Sequence, residues 1–463
     1  MTKKKPTCIA CGSHHLTPVQ LMPNSSKGSP VPLFSHGAKD ASFGLCDPME
    51  NSRACGLLQS LHHEDQQESL PSSTFRVTRD HLRCAATEAL ELISGRDCAA
   101  LDIGCNDGTL LSFYPQWVER FGVDTDASVS NIGEWAWSAQ ANYPSQELDE
   151  AFGTKMFDII TCISTLEYCQ DPAELLNAIK ARLVPDGVVV LETLYAPVVI
   201  SSTQVDSLAP SLCGLYTLNV LEDLARRAGL KIFKGALTGK DGGSIRLFLT
   251  HAEQDEFDFE PWSERLAKLW DEETVLALRD RAPYQAFRNR ADSARETLQN
   301  TLRDFSKRAD IVCLLGTDEN SQCLIKWLGK EACVIRHVVD YGSIAQSEPS
   351  SKSALAPCPK GLNAKVISPE QVDALSPDVL IAPARHKREM LEQWRDFIFA
   401  GGQMLFASPE PFIVHAGNYS AEYGKVIAQG DGAGGVETLR AILHASGGPR
   451  LISHNEGLSV KAS

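Results

Sequence analysis

Apolar runs of strand length alternate with helix-period segments through the middle of the chain, from about residue 99 to about 193. Residues 99–103 (Ala-Ala-Leu-Asp-Ile) read as a buried strand. It enters a turn bounded by Gly104 and Gly108, and Thr109-Leu110-Leu111 then opens a hydrophobic helix. Residues 120–124 predict a second short strand and residues 157–162 a third, of the apolar kind that occupies the centre of a parallel sheet. Asp171-Pro172 begins a helix whose Leu175, Leu176, Ile179 and Leu183 recur at helical spacing. Pro185-Asp186-Gly187 turns the chain into another strand over residues 188–193. Strand, turn and helix in that order predict a right-handed βαβ sheet.

The pattern changes after residue 260. Residues 260–307 are charge-rich, with Leu266, Leu269, Leu276, Leu278, Leu298, Leu302 and Phe305 on recurring faces, which predicts connecting helices broken at Ala282-Pro283. Strand-like runs return at 311–316 and 334–340, the second ending in Asp340. Residues 343–363 read as an exposed loop, residues 430–435 as a glycine-rich loop, and the last dozen residues as a frayed tail.

A chain of 463 residues exceeds one compact core, so two or three domains are expected. The net charge of −15 counts against nucleic acid as a partner, since phosphate neutralisation needs clustered Lys and Arg. No apolar run has the length of a membrane span, and the basic start Met1-Thr2-Lys3-Lys4-Lys5 is not followed by the apolar core of a signal peptide. The expected compartment is the cytoplasm, with reduced thiols.

The turn after the first central strand carries the most chemistry. Glycine lets backbone N–H groups and a helix N-terminus approach a ligand closely. Asp124 stands 20 residues after Gly104, where doubly wound folds place a ribose-binding carboxylate. Asn106 occupies the place of the second glycine of a dinucleotide fingerprint, which points away from a pyrophosphate and toward S-adenosylmethionine (SAM). On that reading Gly104, Asn106 and Gly108 shape the loop under the methionine end, Asp102 sits near its amino group, and Asp124 accepts from the ribose hydroxyls. Asp102 and Asp107 also read as ordinary turn and capping residues.

Methyl transfer from a sulfonium needs alignment and, for some acceptors, one general base. Glu192, Tyr195 and Asp241 are the candidate catalytic residues near the carboxyl ends of the strands. Glu167 is a candidate contact to the methionine portion, and Arg246 a candidate clamp for an anionic substrate group. Glu192 reads equally as a partner for Arg246, and Tyr195 as a packing residue. Near the amino terminus, Cys8 and Cys11 form a knuckle followed by Gly12, and Cys46 and Cys55 offer a second pair with eight residues between them. Four thiolates suit a closed tetrahedral zinc site, with His14, His15 or His36 as substitute ligands.

Taken together these segments resemble the sugar C-methyltransferases of deoxysugar biosynthesis. Ile103-Gly104-Cys105-Asn106-Asp107-Gly108-Thr109-Leu110-Leu111 is similar to that family's I-G-x-N-D-G-x-L-L, and Asp241-Gly242-Gly243-Ser244-Ile245-Arg246 to its H-G-G-S-x-R. The resemblance implies an α/β protein: a zinc-binding module (1–75), a Rossmann-type SAM-dependent methyltransferase domain (76–255), a helical connector (256–307) and a carboxy-terminal Rossmann-like domain (308–463). It implies SAM and structural zinc as cofactors and a small polar metabolite, including nucleotide-linked sugars, as substrate. The chain departs from the family where a Tyr-His-Glu-His cluster supplies acid–base groups, for Ala209, Pro210, Ser211 and Leu212 fill those places. Its last domain has an acidic turn, Thr317-Asp318-Glu319, which is a poor seat for phosphate. The alternative reading is therefore a binding or scaffold protein that keeps the fold without turnover.

Overall fold

Three sheets organise the computed structural model, which describes residues 6–21, 43–62, 70–93, 97–341, 358, 362–383, 386–407 and 410–430. The first sheet is antiparallel and begins with β1 (Leu16–Val19), β2 (Phe43–Cys46) and β3 (Leu58–Ser60), paired in succession.

The central sheet contains β4 (Cys98–Ile103), β5 (Val118–Asp124), β6 (Trp137–Gln140), β7 (Phe157–Ile163) and β8 (Leu183–Leu194), all parallel. The chain then gives β9 (Gly214–Leu215) to the first sheet, where it pairs antiparallel with β3. It returns as β10 (Leu230–Thr238) and β11 (Ser244–His251), and β11 runs antiparallel to β8. The resulting order is β10-β11-β8-β7-β4-β5-β6. Every residue of β4 is buried, because helices cover both faces of a parallel sheet. On one face lies the helix Arg76–Leu92, whose Ala85, Ala86 and Ala89 are fully buried and allow a close approach to the strands. On the chain's next crossover, Asp171 caps the helix Pro172–Arg182 by accepting from the Glu174 N–H.

Two boundaries differ from the sequence expectation. Pro185-Asp186-Gly187 stays inside β8, because a register shift between the Phe157 and Ile159 pairs absorbs the irregular stretch. Pro283 does not break the connector. The turn falls just before it, with Ala277 in the left-handed region (φ 51°), and Pro283 lies in the first turn of the helix Ala282–Arg308, where its missing N–H has no partner to lose. The preceding connector helix is Glu260–Leu276.

The third sheet holds β12 (Val312–Leu315), β13 (Ile335–Val339), β14 (Lys365–Ile367), β15 (Val379–Ala382), β16 (Gln403–Phe406) and β17 (Phe412–Val414). Its order is β14-β13-β12-β15-β16-β17, parallel except for β17. Among the described residues no helix is long and apolar enough to cross a membrane. His36, the tail, residues 431–435 and nearly all of the expected 343–363 loop lie outside the described residues.

Candidate active site

The turn after β4 is built by close approach. The Gly104 N–H donates to the Val123 carbonyl at 2.8 Å, which tucks the loop against β5. Gly104 has φ +79°, and a Cβ there would stand 2.0 Å from Thr165 Oγ1; at Gly108 a Cβ would meet Ile132 Cγ1 at 2.7 Å. Asp124 Oδ2 accepts from the Asn106 N–H at 2.7 Å and Oδ1 from the Asp126 N–H at 2.8 Å. Burial raises its pKa. Asp102 is buried, accepts from Thr161 Oγ1 at 2.6 Å, and is pushed up to about 7 by that burial. A cation beside it would restore the carboxylate. Asp107 has a local task, since Oδ1 accepts from both N–H and Oγ1 of Thr109.

A short strap crosses the loop. The Ser72 N–H donates to Asn106 Oδ1 at 2.8 Å and the Ser73 N–H to Asp107 Oδ2 at 3.1 Å. Next along the strap, Phe75 meets Tyr341 edge-on at 5.4 Å, just past β13, and Arg76 pairs with Glu392. On the other side Ser211 donates to Glu319, and Cys323 Sγ to the Leu208 carbonyl. The carboxyl ends of the central and third sheets are thereby turned toward one another.

The remaining sequence candidates take unequal positions. Asp241, with φ +53°, accepts from Ser164 Oγ at 3.3 Å and pairs with Lys240 Nζ at 3.1 Å, at the carboxyl end of β7. Glu167 is fully buried, accepts from Thr193 Oγ1 at 2.9 Å, and its carbonyl accepts from the Cys213 N–H. Glu192 lies inside β8 opposite Arg246 of β11. Arg246 Nε donates to its Oε2 at 2.6 Å, Thr238 Oγ1 donates to Oε1 at 2.7 Å, and His81 Nε2 is 2.8 Å from Oε1. Burial works against the Glu192 carboxylate, but Arg246 and His81 outweigh it and hold the group well below its usual range.

Two candidates take the alternative roles that the sequence left open. Arg246 is only 3% exposed, and the anion it clamps is the protein's own Glu192, so it has no fork to offer a substrate. Tyr195 is fully buried, and its hydroxyl donates to Glu273 Oε2 at 2.9 Å. Glu273 also accepts from the Leu218 and Asn219 N–H groups, so Tyr195 braces the connector helix rather than facing an acceptor. Tyr195→Phe is expected to cost about 1–2 kcal/mol in urea unfolding while leaving SAM affinity unchanged. A loss of SAM binding at unchanged stability would contradict that assignment.

Residues 77–234 match the methyltransferase domain family, and residues 239–409 the C-methyltransferase C-terminal domain family. C-methyltransferase NovU of Streptomyces niveus is 22% identical over 79% of this chain and 86% of that protein. The chain carries a methyltransferase domain followed by a C-methyltransferase C-terminal domain. A tRNA U34 carboxymethyltransferase of Campylobacter curvus is 27% identical over 29% of this chain and 48% of its own length. Among solved structures, magnesium protoporphyrin IX methyltransferase from Synechocystis with bound SAH aligns over 41% of this chain and 90% of that one, at 10% identity and TM-score 0.31.

In this methyltransferase residues 209–212 lie at an interdomain seam. Ala209, Ser211 and Leu212 are buried, and Ser211 reaches Glu319. His81, which sequence reasoning passed over, joins the Glu192–Arg246 pair instead. It stands in no motif, and its only sequence signal is a polar residue on the strand-facing side of an otherwise alanine-rich helix.

The four amino-terminal cysteines converge, with all Sγ atoms within 4.8 Å of one another. Cys8 and Cys55 are 3.6 Å apart and Cys11 and Cys46 3.5 Å apart. The long second spacing closes because the Gly56 N–H returns to the Cys46 carbonyl at 3.0 Å, with Gly56 at φ +88°. Neither His14 nor His15 belongs to the group.

Proposed function

We propose that this methyltransferase transfers a methyl group from SAM to a small polar acceptor lodged between the facing carboxyl ends of the central and third sheets. Nucleotide-linked sugars are the leading acceptor class, and the cytoplasm is the working compartment, consistent with free thiols throughout. The observation that carries the reading is a shared strap. The segment that bonds to Asn106 and Asp107 also packs against Tyr341, so it joins the donor loop to the third sheet. SAM supplies an electrophilic methyl, and the protein aligns the acceptor and keeps water out.

Gly104, Asn106 and Gly108 would cradle the methionine end, Asp102 its ammonium, Asp124 the ribose, and Glu167 would wall the methionine side from beneath. Asp241, beside Ser164, would be the carboxylate that touches the acceptor, with Glu192 held by Arg246. A diphosphate would sit away from the helix Glu319–Leu328, because Asp318 already caps it by accepting from the Ser321 N–H. The four thiols would hold a structural zinc with no open position for chemistry.

Formation of S-adenosylhomocysteine (SAH) over a panel of nucleotide sugars and related acceptors tests the activity. Product above background rejects the scaffold reading, which rests on the loss of acid–base groups at 209–212. Calorimetry tests the donor site. Asp124→Ala should weaken SAM binding about 10–100-fold, the worth of a hydrogen bond to a charged group. Unchanged affinity would remove Asp124 from the ribose contact.

A further inference from the structure

Two seats for an anionic group are closed, since Arg246 is clamped on Glu192 and Asp318 caps the helix Glu319–Leu328. A third cation stands open on the connector. Arg290 lies on the helix Ala282–Arg308, part-buried against the loop that follows β8. Its Nε donates to Thr203 Oγ1 at 2.8 Å, and its Nη2 to the Ile200 carbonyl at 2.7 Å near the end of the short helix Ala196–Ser201. The other amino group, Nη1, meets no acceptor among the described residues.

The charge itself is uncompensated. On the same helix Arg288, Arg303 and Arg308 meet Asp292, Glu331 and Asp310 at 2.9, 2.6 and 2.7 Å. Arg290 pairs with no carboxylate among the described residues, and burial alone acts on it, disfavouring the cation. A guanidinium drawn out of water costs free energy until an anion faces it. Its partner is fixed: Thr203 is buried with φ +54°, a left-handed conformation that β-branched residues avoid. The next residue, Gln204, donates from Nε2 to the Gly242 carbonyl at 2.8 Å. One loop therefore touches both Arg290 and the turn that carries Asp241.

We propose that Arg290 binds a phosphate group of the acceptor, with Nη1 donating to the phosphate oxygens while Thr203 and the Ile200 carbonyl hold the guanidinium plane. The inference rests on the small-acceptor reading above and narrows it to phosphorylated acceptors, nucleotide-linked sugars among them. A planar guanidinium held along one edge presents its remaining N–H bonds in a fixed direction, which suits the paired oxygens of a phosphate. The loop through Thr203 and Gln204 then joins the phosphate seat to the Asp241 turn, so one segment sets both ends of the bound molecule.

Titration calorimetry of the full-length, metal-replete protein with inorganic pyrophosphate tests the seat without needing turnover. Wild type should bind it, less tightly as salt rises. Arg290→Met should weaken that binding about 10–100-fold while SAM affinity stays within about threefold. Arg290→Lys, which keeps a cation but not the fork, should recover part of the loss and guards against a variant that fails to fold. With a phosphorylated acceptor that supports SAH formation, Arg290→Met should raise KM by the same factor and leave kcat within about threefold. Pyrophosphate that ignores wild type, or binds Arg290→Met equally well, overturns the proposal. So does an equal rise in KM for a phosphate-free acceptor, the mark of a latch on Ile200 alone. A protein that binds pyrophosphate through Arg290 yet yields no SAH with any acceptor defeats the broader reading and leaves the phosphate seat standing.

Discussion

Chelation of metal from the four-cysteine cluster is expected to release one zinc per chain and melt the amino-terminal sheet. Three strands of three or four residues bury too little to hold together alone. A structural zinc in such a module contributes on the order of 10–16 kcal/mol. The four sulfurs already stand within 4.8 Å of one another. Melting should spread, because β3 pairs with β9 and Asp47 is held by Arg281 of the connector. Thermal unfolding with a chromogenic zinc assay would follow both events, and Cys8→Ser should reproduce them. A native protein that carries no zinc and melts at the same temperature with and without chelator would refute the metal site.

Arg246→Met is expected to destabilise the central domain by about 3–5 kcal/mol, the cost of leaving a buried carboxylate without its cation. Glu192 is fully buried, and Thr238 beside it is a neutral donor. Adding Glu192→Leu should recover most of the loss, since an apolar pair of similar volume needs no compensation. Urea midpoints at constant slope would measure both. Acid gives an independent readout. The Glu192 pKa is depressed by folding, so its contribution is complete above the ordinary value of 4.5 and disappears as pH falls through the folded value. Wild type should therefore lose stability below about pH 4.5 more steeply than the double variant. Parallel acid profiles would mean that the pair contributes little.

Local pattern made the central sheet and its donor loop legible. The strand–turn–helix rhythm needs only neighbouring residues, and Gly104 and Gly108 announced a close approach whose partners, Thr165 and Ile132, only the fold supplies. The cysteine knuckle at Cys8 and Cys11 was legible for the same reason, whereas the pairing of Cys46 with Cys55 depends on a loop returned by Gly56. Two roles stayed open for Arg246 and for Tyr195 because alternation along a strand tells which face a residue takes, not whether that face is open. The register that sets Arg246 against Glu192 joins positions 54 apart. Tyr195 meets Glu273 across 78 positions, through a helix whose charge pattern reads as solvated. His81 acquires meaning only when its helix lies across both strands.

The two-residue strand β9 has a consequence for how this protein can be cut. Gly214 and Leu215 leave the central domain to complete a sheet whose other members come from the first 60 residues. A truncation that discards those residues would strand a bare backbone edge beside the seam that joins the two α/β halves. The cysteine-cluster segment and the methyltransferase domain are thus interlaced, and the smallest autonomous fragment is larger than a count of domains implies.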